Sequence, residues 1–215
     1  RSAPSKRVRN HSAFGIHRDG VVADCVVLPQ KQASRLPAGL KPTHGAFCEP
    51  LACCLHGADL AAIRPGASVA VLGGGVIGLL TVQLAKLAGA ETIILSTRQA
   101  SRRALAEDLG ATATIDPGAA DVIDAVAGPA GLVPGGVDVV FECAGVRDTV
   151  EQSMRLAKAG GTIVIVGVVP QGMKGAIEPF YLLFRELQVL GSFLNPYTHG
   201  RAVELIAPGG IGIDR

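Results

Sequence analysis

The run Ser68-Val69-Ala70-Val71-Leu72-Gly73-Gly74-Gly75-Val76-Ile77-Gly78 decides how this chain folds. Five strand-forming residues, SVAVL, lead straight into a GxGxxG turn, and an Ala/Leu-rich helical stretch follows over 76–89. A lone GxGxxG says little, but one that closes an apolar strand and opens a helix is specific. Gly73 permits the tight turn, Gly75 lets backbone approach a pyrophosphate, and Gly78 lets the helix pack closely on the strand. The helix start at Val76-Ile77-Gly78 offers unpaired N–H groups and a partial positive charge to an anion.

Outward from this turn, short β-branched runs alternate with helical ones. Strands are predicted at 68–72, 92–96, 113–115, 137–142, 162–168 and 187–192, and helices at 76–89, 99–109, 118–127, 147–158, 179–185 and about 199–207. Apolar runs without strict alternation mark parallel strands covered on both faces. Six strands joined by crossover helices predict an α/β fold, a doubly wound parallel six-stranded Rossmann sheet. Residues 1–43 read differently, with turn residues, a short extended piece at Val26–Leu28 and too few residues for a core of their own. They are expected to be a fragment of a second domain. Residues 44–66 carry a linking helix (44–63), and 67–215 form the dinucleotide-binding domain. The chain opens on Arg1 rather than Met and ends just past a Gly-rich turn, so both ends are expected to be truncated.

The end of the second strand separates NAD from NADP. An NAD site places a carboxylate there, about 20 residues past the glycines, to accept from the ribose hydroxyls. This chain has Ser96-Thr97-Arg98, then Arg102 and Arg103, and no carboxylate before Glu107. Guanidinium groups bind a 2′-phosphate through charge-assisted hydrogen bonds, and the Ser96 and Thr97 hydroxyls can add to the cradle. Cations at a helix start oppose the dipole, which makes a purely solvated role for these arginines costly. The expected cofactor is NADP, ahead of NAD.

Composition narrows the rest. The 215 residues are 48% apolar, with 28 Gly, no Trp and a formal charge of +2. That charge argues against nucleic acid, and the basic cluster Arg1, Lys6, Arg7, Arg9 reads as a solvated terminus. No apolar run is long enough for a bilayer span, and no apolar segment follows the basic start as in a signal peptide. Five cysteines without repeated CxxC spacing fit a reducing cytoplasm, with Cys48, Cys53 and Cys54 expected as buried thiols. The histidines His11, His17, His44, His56 and His199 show no metal-ligand spacing.

The segments GIHRDG (15–20), CEPLAC (48–53), VLGGGVIGLLTVQLAKLAGA (71–90), ECAG (142–145), GGTIVIVG (160–167) and LGSF (190–193) resemble, in order and spacing, the medium-chain zinc-dependent alcohol dehydrogenases. The likeness is greatest to the sorbitol and threonine dehydrogenase branch. It implies hydride transfer between a nicotinamide cofactor and an alcohol or polyol, with a catalytic zinc as Lewis acid. By resemblance, Cys143, Ala144, Gly145, Gly167, Val168 and Val169 approach the adenosine-to-nicotinamide stretch. Ser192, Phe193 and Leu194 lie by the nicotinamide ring, and Glu49 stands at the zinc, directly or through water. The family also implies a homo-oligomer formed through the sheet edge, with 187–194 as the edge strand.

The departures count too. The family's upstream Cys and Gly-His-Glu ligands and its structural-zinc cysteines have no counterpart here, and GIHRDG is followed by VVADC instead of GGFAEY. The chain by itself is therefore expected to bind cofactor without turnover, and no catalytic residue is named. Two alternatives stay open: a stand-alone NADP-binding module, and a zinc-free quinone or enoyl reductase of the same superfamily.

Overall fold

In the computed structural model, which describes residues 14, 15, 18–30, 33–207 and 209–213, six parallel strands make one sheet. They are β1 (Ser68–Leu72), β2 (Thr92–Ser96), β3 (Ala113–Ile115), β4 (Val137–Glu142), β5 (Ala157–Ile165) and β6 (Gln188–Gly191). Their order is β3-β2-β1-β4-β5-β6, so the winding direction reverses between β1 and β4. The helices are α1 (Pro42–Gly45), α2 (Cys48–Ala61), α3 (Val76–Leu87), α4 (Ala100–Leu109), α5 (Val122–Ala127), α6 (Arg147–Leu156), α7 (Pro179–Phe184) and α8 (His199–Ile206).

Strand alternation sorts the core onto two faces. Ala70, Leu72, Ile94 and Val140 pack with Val122, Val126, Met154 and Leu156 of α5 and α6. Val69, Val71, Ile93, Leu95, Val139 and Phe141 pack with Val82 and Ala85 of α3 and Ala106 of α4. A third cluster joins α2, α3 and α8 through Leu51, Leu55, Leu80, Leu84, Val203 and Ile206. Gln83 binds both the N–H and the carbonyl of Gly212, at 2.7 and 3.3 Å, and so fastens the C-terminal segment to α3.

Four expected elements differ, each for a local reason. The helix over 118–127 begins only at Val122. Asp116 first turns the chain by accepting from Gly118 N–H, and Asp121 caps α5 through the N–H groups of Ile123 and Asp124. The helix over 44–63 divides into α1 and α2, and α2 closes on Ala62 in the left-handed region, φ 48°. The strand expected at 162–168 runs from 157 to 165. The N–H groups of Val166 and Gly167 both go to the Glu142 carbonyl, so the ladder stops there. Val26–Leu28 joins no strand among the described residues, and Val22 and Val27 are exposed, since so short an extended piece is not stable without a partner. His11, His17 and the basic cluster at the start lie outside the described residues. No helix among those residues is long and apolar enough to cross a membrane.

Asp138 ties three strands at their amino ends. Its carboxylate accepts from Ser68 N–H (2.8 Å) and Ser68 O–H (2.7 Å), and pairs with Lys158 Nζ. Burial pushes its carboxyl up, but the Lys158 ammonium and the two Ser68 donors outweigh that and bring it down to about 2. The unfolded side chain, with a pKa of 3.8, takes up the proton first. The contribution of Asp138 to stability is therefore whole above about pH 4 and is lost as the pH falls towards 2. Asp138→Asn should cost about 1–2 kcal/mol at neutral pH and flatten the acid limb between pH 4 and 2. Urea unfolding followed by circular dichroism across that range checks both.

Candidate functional site: a crevice at the strand ends

All six strands stop level with one another in the ladder. The registers Ile115↔Ser96, Ser96↔Leu72, Leu72↔Glu142, Glu142↔Ile165 and Ile165↔Gly191 make one row across the sheet. The residues that follow this row, Gly73, Thr97, Asp116, Cys143, Val166 and Ser192, open the loops at the carboxyl end of the sheet. The crevice sits where the strand order reverses, between β1 and β4, the place where open α/β sheets hold their ligands.

The glycines of the turn differ in what they make possible. Gly78 is enforced by packing, since a Cβ there would lie 1.8 Å from Gly73 O. Gly73 has φ 108°, and its Cβ would meet Ala144 N at 2.9 Å. At Gly75, the N-cap of α3, a Cβ would meet nothing within 4 Å. Gly75 therefore opens onto empty space, with the first N–H groups of α3, those of Val76 and Ile77 among them, beside it. Gly74 carries a constraint that the spacing alone does not reveal. The Thr97 side chain lies across it, 2.8 Å from where its Cβ would be.

Past β2, the three arginines divide by role. Arg103 donates to Thr97 O and Arg98 O at 2.8 Å each, and pairs with Asp116 at 3.0 Å. It braces the turn. Arg98 and Arg102 are exposed, and neither has a side-chain partner among the described residues. Glu107, the first carboxylate after β2, accepts from Thr114 Oγ1 at 2.7 Å and turns towards β3. Ser96 is buried, and its carbonyl receives Gly73 N–H at 2.9 Å.

On the β4–β5 side, Gly145 (φ 67°) and Gly167 bring two turns into contact. A Cβ on Gly167 would lie 2.4 Å from Gly145 N, and one on Gly145 would lie 2.7 Å from Val168 O. Cys143 N–H donates to Leu72 O at 2.8 Å. Val168 is 91% exposed and Phe193 71%. Leu194 follows at φ 56°.

Glu49 is exposed in the first turn of α2. Its Oε1 accepts from Cys53 Sγ at 3.4 Å and from Asn195 Nδ2 at 3.1 Å. Cys53 is half-buried, not buried as expected, and it reaches this carboxylate because i and i+4 share a helix face. Burial and then the Glu49 charge raise its thiol to about 12, which keeps it protonated at neutral pH. Cys48 and Cys54 are buried as the sequence implies. No three His, Cys, Asp or Glu side chains converge among the described residues, so these residues do not by themselves compose a zinc site.

Compared with known proteins, residues 76–207 match the family model described as zinc-binding dehydrogenase. The chain belongs to the zinc-binding dehydrogenase family. It is similar to a crystal structure of a protein described by that family from Sinorhizobium meliloti 1021, bound to NADP. The TM-score is 0.93 and the identity 69%, over 96% of this chain and 60% of that one. It is 32% identical to L-idonate 5-dehydrogenase of Vitis vinifera, over 91% of this chain and 53% of the relative. It is likewise 32% identical to D-xylulose reductase A of Aspergillus niger, over 91% and 55%. The chain thus spans about half the length of the curated relatives it matches.

The packing at Gly78 and the space at Gly75 predict opposite outcomes for one methyl group. Gly78→Ala should lose about 3 kcal/mol by overpacking against Gly73 O. Gly75→Ala should change stability by under about 1 kcal/mol. Chemical unfolding of the two variants side by side tests the pair.

Proposed function

We propose that this chain is the cofactor-binding part of an NADP-dependent dehydrogenase acting on an alcohol or polyol and the matching ketone or aldehyde. The observation that carries the reading is the pair of exposed guanidinium groups, Arg98 and Arg102, without a side-chain partner among the described residues, next in the fold to a glycine turn where a Cβ on Gly75 would meet nothing. The pyrophosphate lies against Gly73, Gly75 and the N–H groups of Val76, Ile77 and Gly78. The 2′-phosphate lies against Arg98, Arg102 and Thr97, with Ser96 beneath. Cys143, Ala144, Gly145, Gly167, Val168 and Val169 line the path to the nicotinamide, and Ser192, Phe193 and Leu194 close it. When bound, the nicotinamide supplies the hydride acceptor or donor. The protein's part is to hold that ring in place and keep water from it. The relatives' names, idonate dehydrogenase and xylulose reductase, support a polyol-type substrate.

In the whole protein the hydride step is zinc-assisted on this reading, with Glu49 on the metal side. Residues 1–43 belong to the catalytic domain, 44–66 link, and 67–215 bind cofactor. The same reading pairs two copies through β6. That strand is a sheet edge, Val189 is exposed on it, and Phe180, Leu183 and Phe184 of α7, the helix that precedes it, are 67, 76 and 77% exposed. An apolar edge of this kind invites pairing. Val189→Glu should convert a dimer to a monomer at micromolar concentration by light scattering, and a wild-type monomer would refute the pairing.

Isothermal titration should find NADPH bound about 10–100-fold more tightly than NADH, the worth of one or two charge-assisted hydrogen bonds. Arg98→Asp should remove most of that preference, and Gly75→Leu should abolish binding of both while the circular dichroism spectrum stays unchanged. Equal affinity of the wild-type chain for the two cofactors would overturn the NADP reading.

A further inference from the structure

Glu142 is the last residue of β4, next to the β1–β4 reversal, and its side chain is 0% exposed. One oxygen does all its bonding. Oε1 accepts from Ala144 N–H (2.9 Å), Gly145 N–H (2.9 Å) and Thr149 Oγ1 (2.7 Å). Its main-chain carbonyl accepts from Val166 and Gly167 N–H, both at 2.9 Å. A single residue thereby holds the turn 143–145 after β4, the first turn of α6, and the turn that leaves β5. The other oxygen, Oε2, is buried without a hydrogen-bond partner among the described residues. It lies 2.6 Å from where a Cβ of Gly167 would be. A carboxylate that is fully buried with one oxygen bare costs stability, and a hydrophobic residue would serve a core better. Its presence calls for a role other than folding.

We propose that Glu142 is a positioning residue: its carboxylate sets the separation of the turns 143–145 and 166–169, which receive the nicotinamide half of the cofactor. This rests on the NADP reading above. Gly145 and Gly167 touch because neither has a side chain, and Glu142 fixes how they touch. It bonds Gly145 N–H with Oε1, and Gly167 N–H with its carbonyl. Loss of the carboxylate frees Ala144 and Gly145, so the β4 turn shifts while β1, α3 and the arginine cluster stay in place. The adenosine half of the site is therefore insensitive to Glu142, and the nicotinamide half depends on it. A merely structural residue would weaken both halves alike.

Two probes separate these cases: NADPH, which spans both halves, and 2′,5′-ADP, which carries the adenosine with its 2′- and 5′-phosphates and lacks the nicotinamide half. Both are titrated into the wild-type chain and into Glu142→Ala, Glu142→Gln and Thr149→Val. Glu142→Ala should weaken NADPH about 10–100-fold, as expected for lost bonds to a charged group, and leave 2′,5′-ADP within about twofold. Glu142→Gln should recover NADPH binding to within about threefold of wild type, because the amide oxygen can take over the three bonds of Oε1 and the amide nitrogen displaces no bond at Oε2. Thr149→Val loses one of the three bonds and should weaken NADPH about threefold with 2′,5′-ADP unchanged; it decides the matter if Glu142→Ala does not fold. Equal weakening of both probes, or no rescue by glutamine, overturns the proposal. A wild-type chain that binds neither probe refutes the NADP reading instead.

Discussion

The main chain at Gly73 and the first turn of α3 approach so closely that no side chain fits between them: a Cβ on Gly78 would lie 1.8 Å from Gly73 O. The rest of the arrangement follows from that contact. It lets α3 start at once after β1, so the helix N–H groups point over the strand ends and not away from them. It holds Gly73 N–H against Ser96 O and brings the turn under Thr97. The level row of strand ends then places every following loop at one crevice.

Charge around that crevice is arranged by where the acids are used up. Glu107 is spent on Thr114, and Asp116 on Arg103 and Gly118 N–H. Neither is paired with Arg98 or Arg102 among the described residues. Arg103 is held by contrast, its Nη1 against two carbonyls and a carboxylate. The positive field at the end of β2 therefore comes from the two arginines that have no side-chain partner among the described residues, on a helix start whose dipole adds the same sign.

Much of this was legible in the residues. β1 to β4 fall where the β-branched runs place them, because strands buried on both faces leave an uninterrupted apolar signature. The boundaries that differ are those decided by hydrogen bonds to a single polar atom. Asp121 delays α5, and the Glu142 carbonyl ends β5 early. Such bonds depend on which carbonyl or carboxylate comes near in space, and periodicity carries no trace of that. The same holds at the site. The GxGxxG spacing exposes Gly73, Gly75 and Gly78. The need for glycine at 74 comes from Thr97, 23 positions on, and appears only when β1 and β2 lie side by side. Asn195 reaches Glu49 across 146 positions, which no local pattern encodes.

Glu142 and Asp138 show how one strand divides its labour. They stand four residues apart on β4, so both point to the same face of the sheet. Asp138, at the amino end, binds Ser68 and Lys158, is partly exposed, and has its charge answered by an ammonium group. That is a stabilising arrangement, and it is found at the amino end of the sheet. Glu142, at the carboxyl end, is buried, answered only by neutral donors, and left with one oxygen unpaired. A position under selection for stability alone would not keep it. The two carboxylates mark the two ends of the sheet as different in kind: at one end the charge is paired with an ammonium group, and at the other a buried carboxylate ties the turn 143–145 to the start of α6.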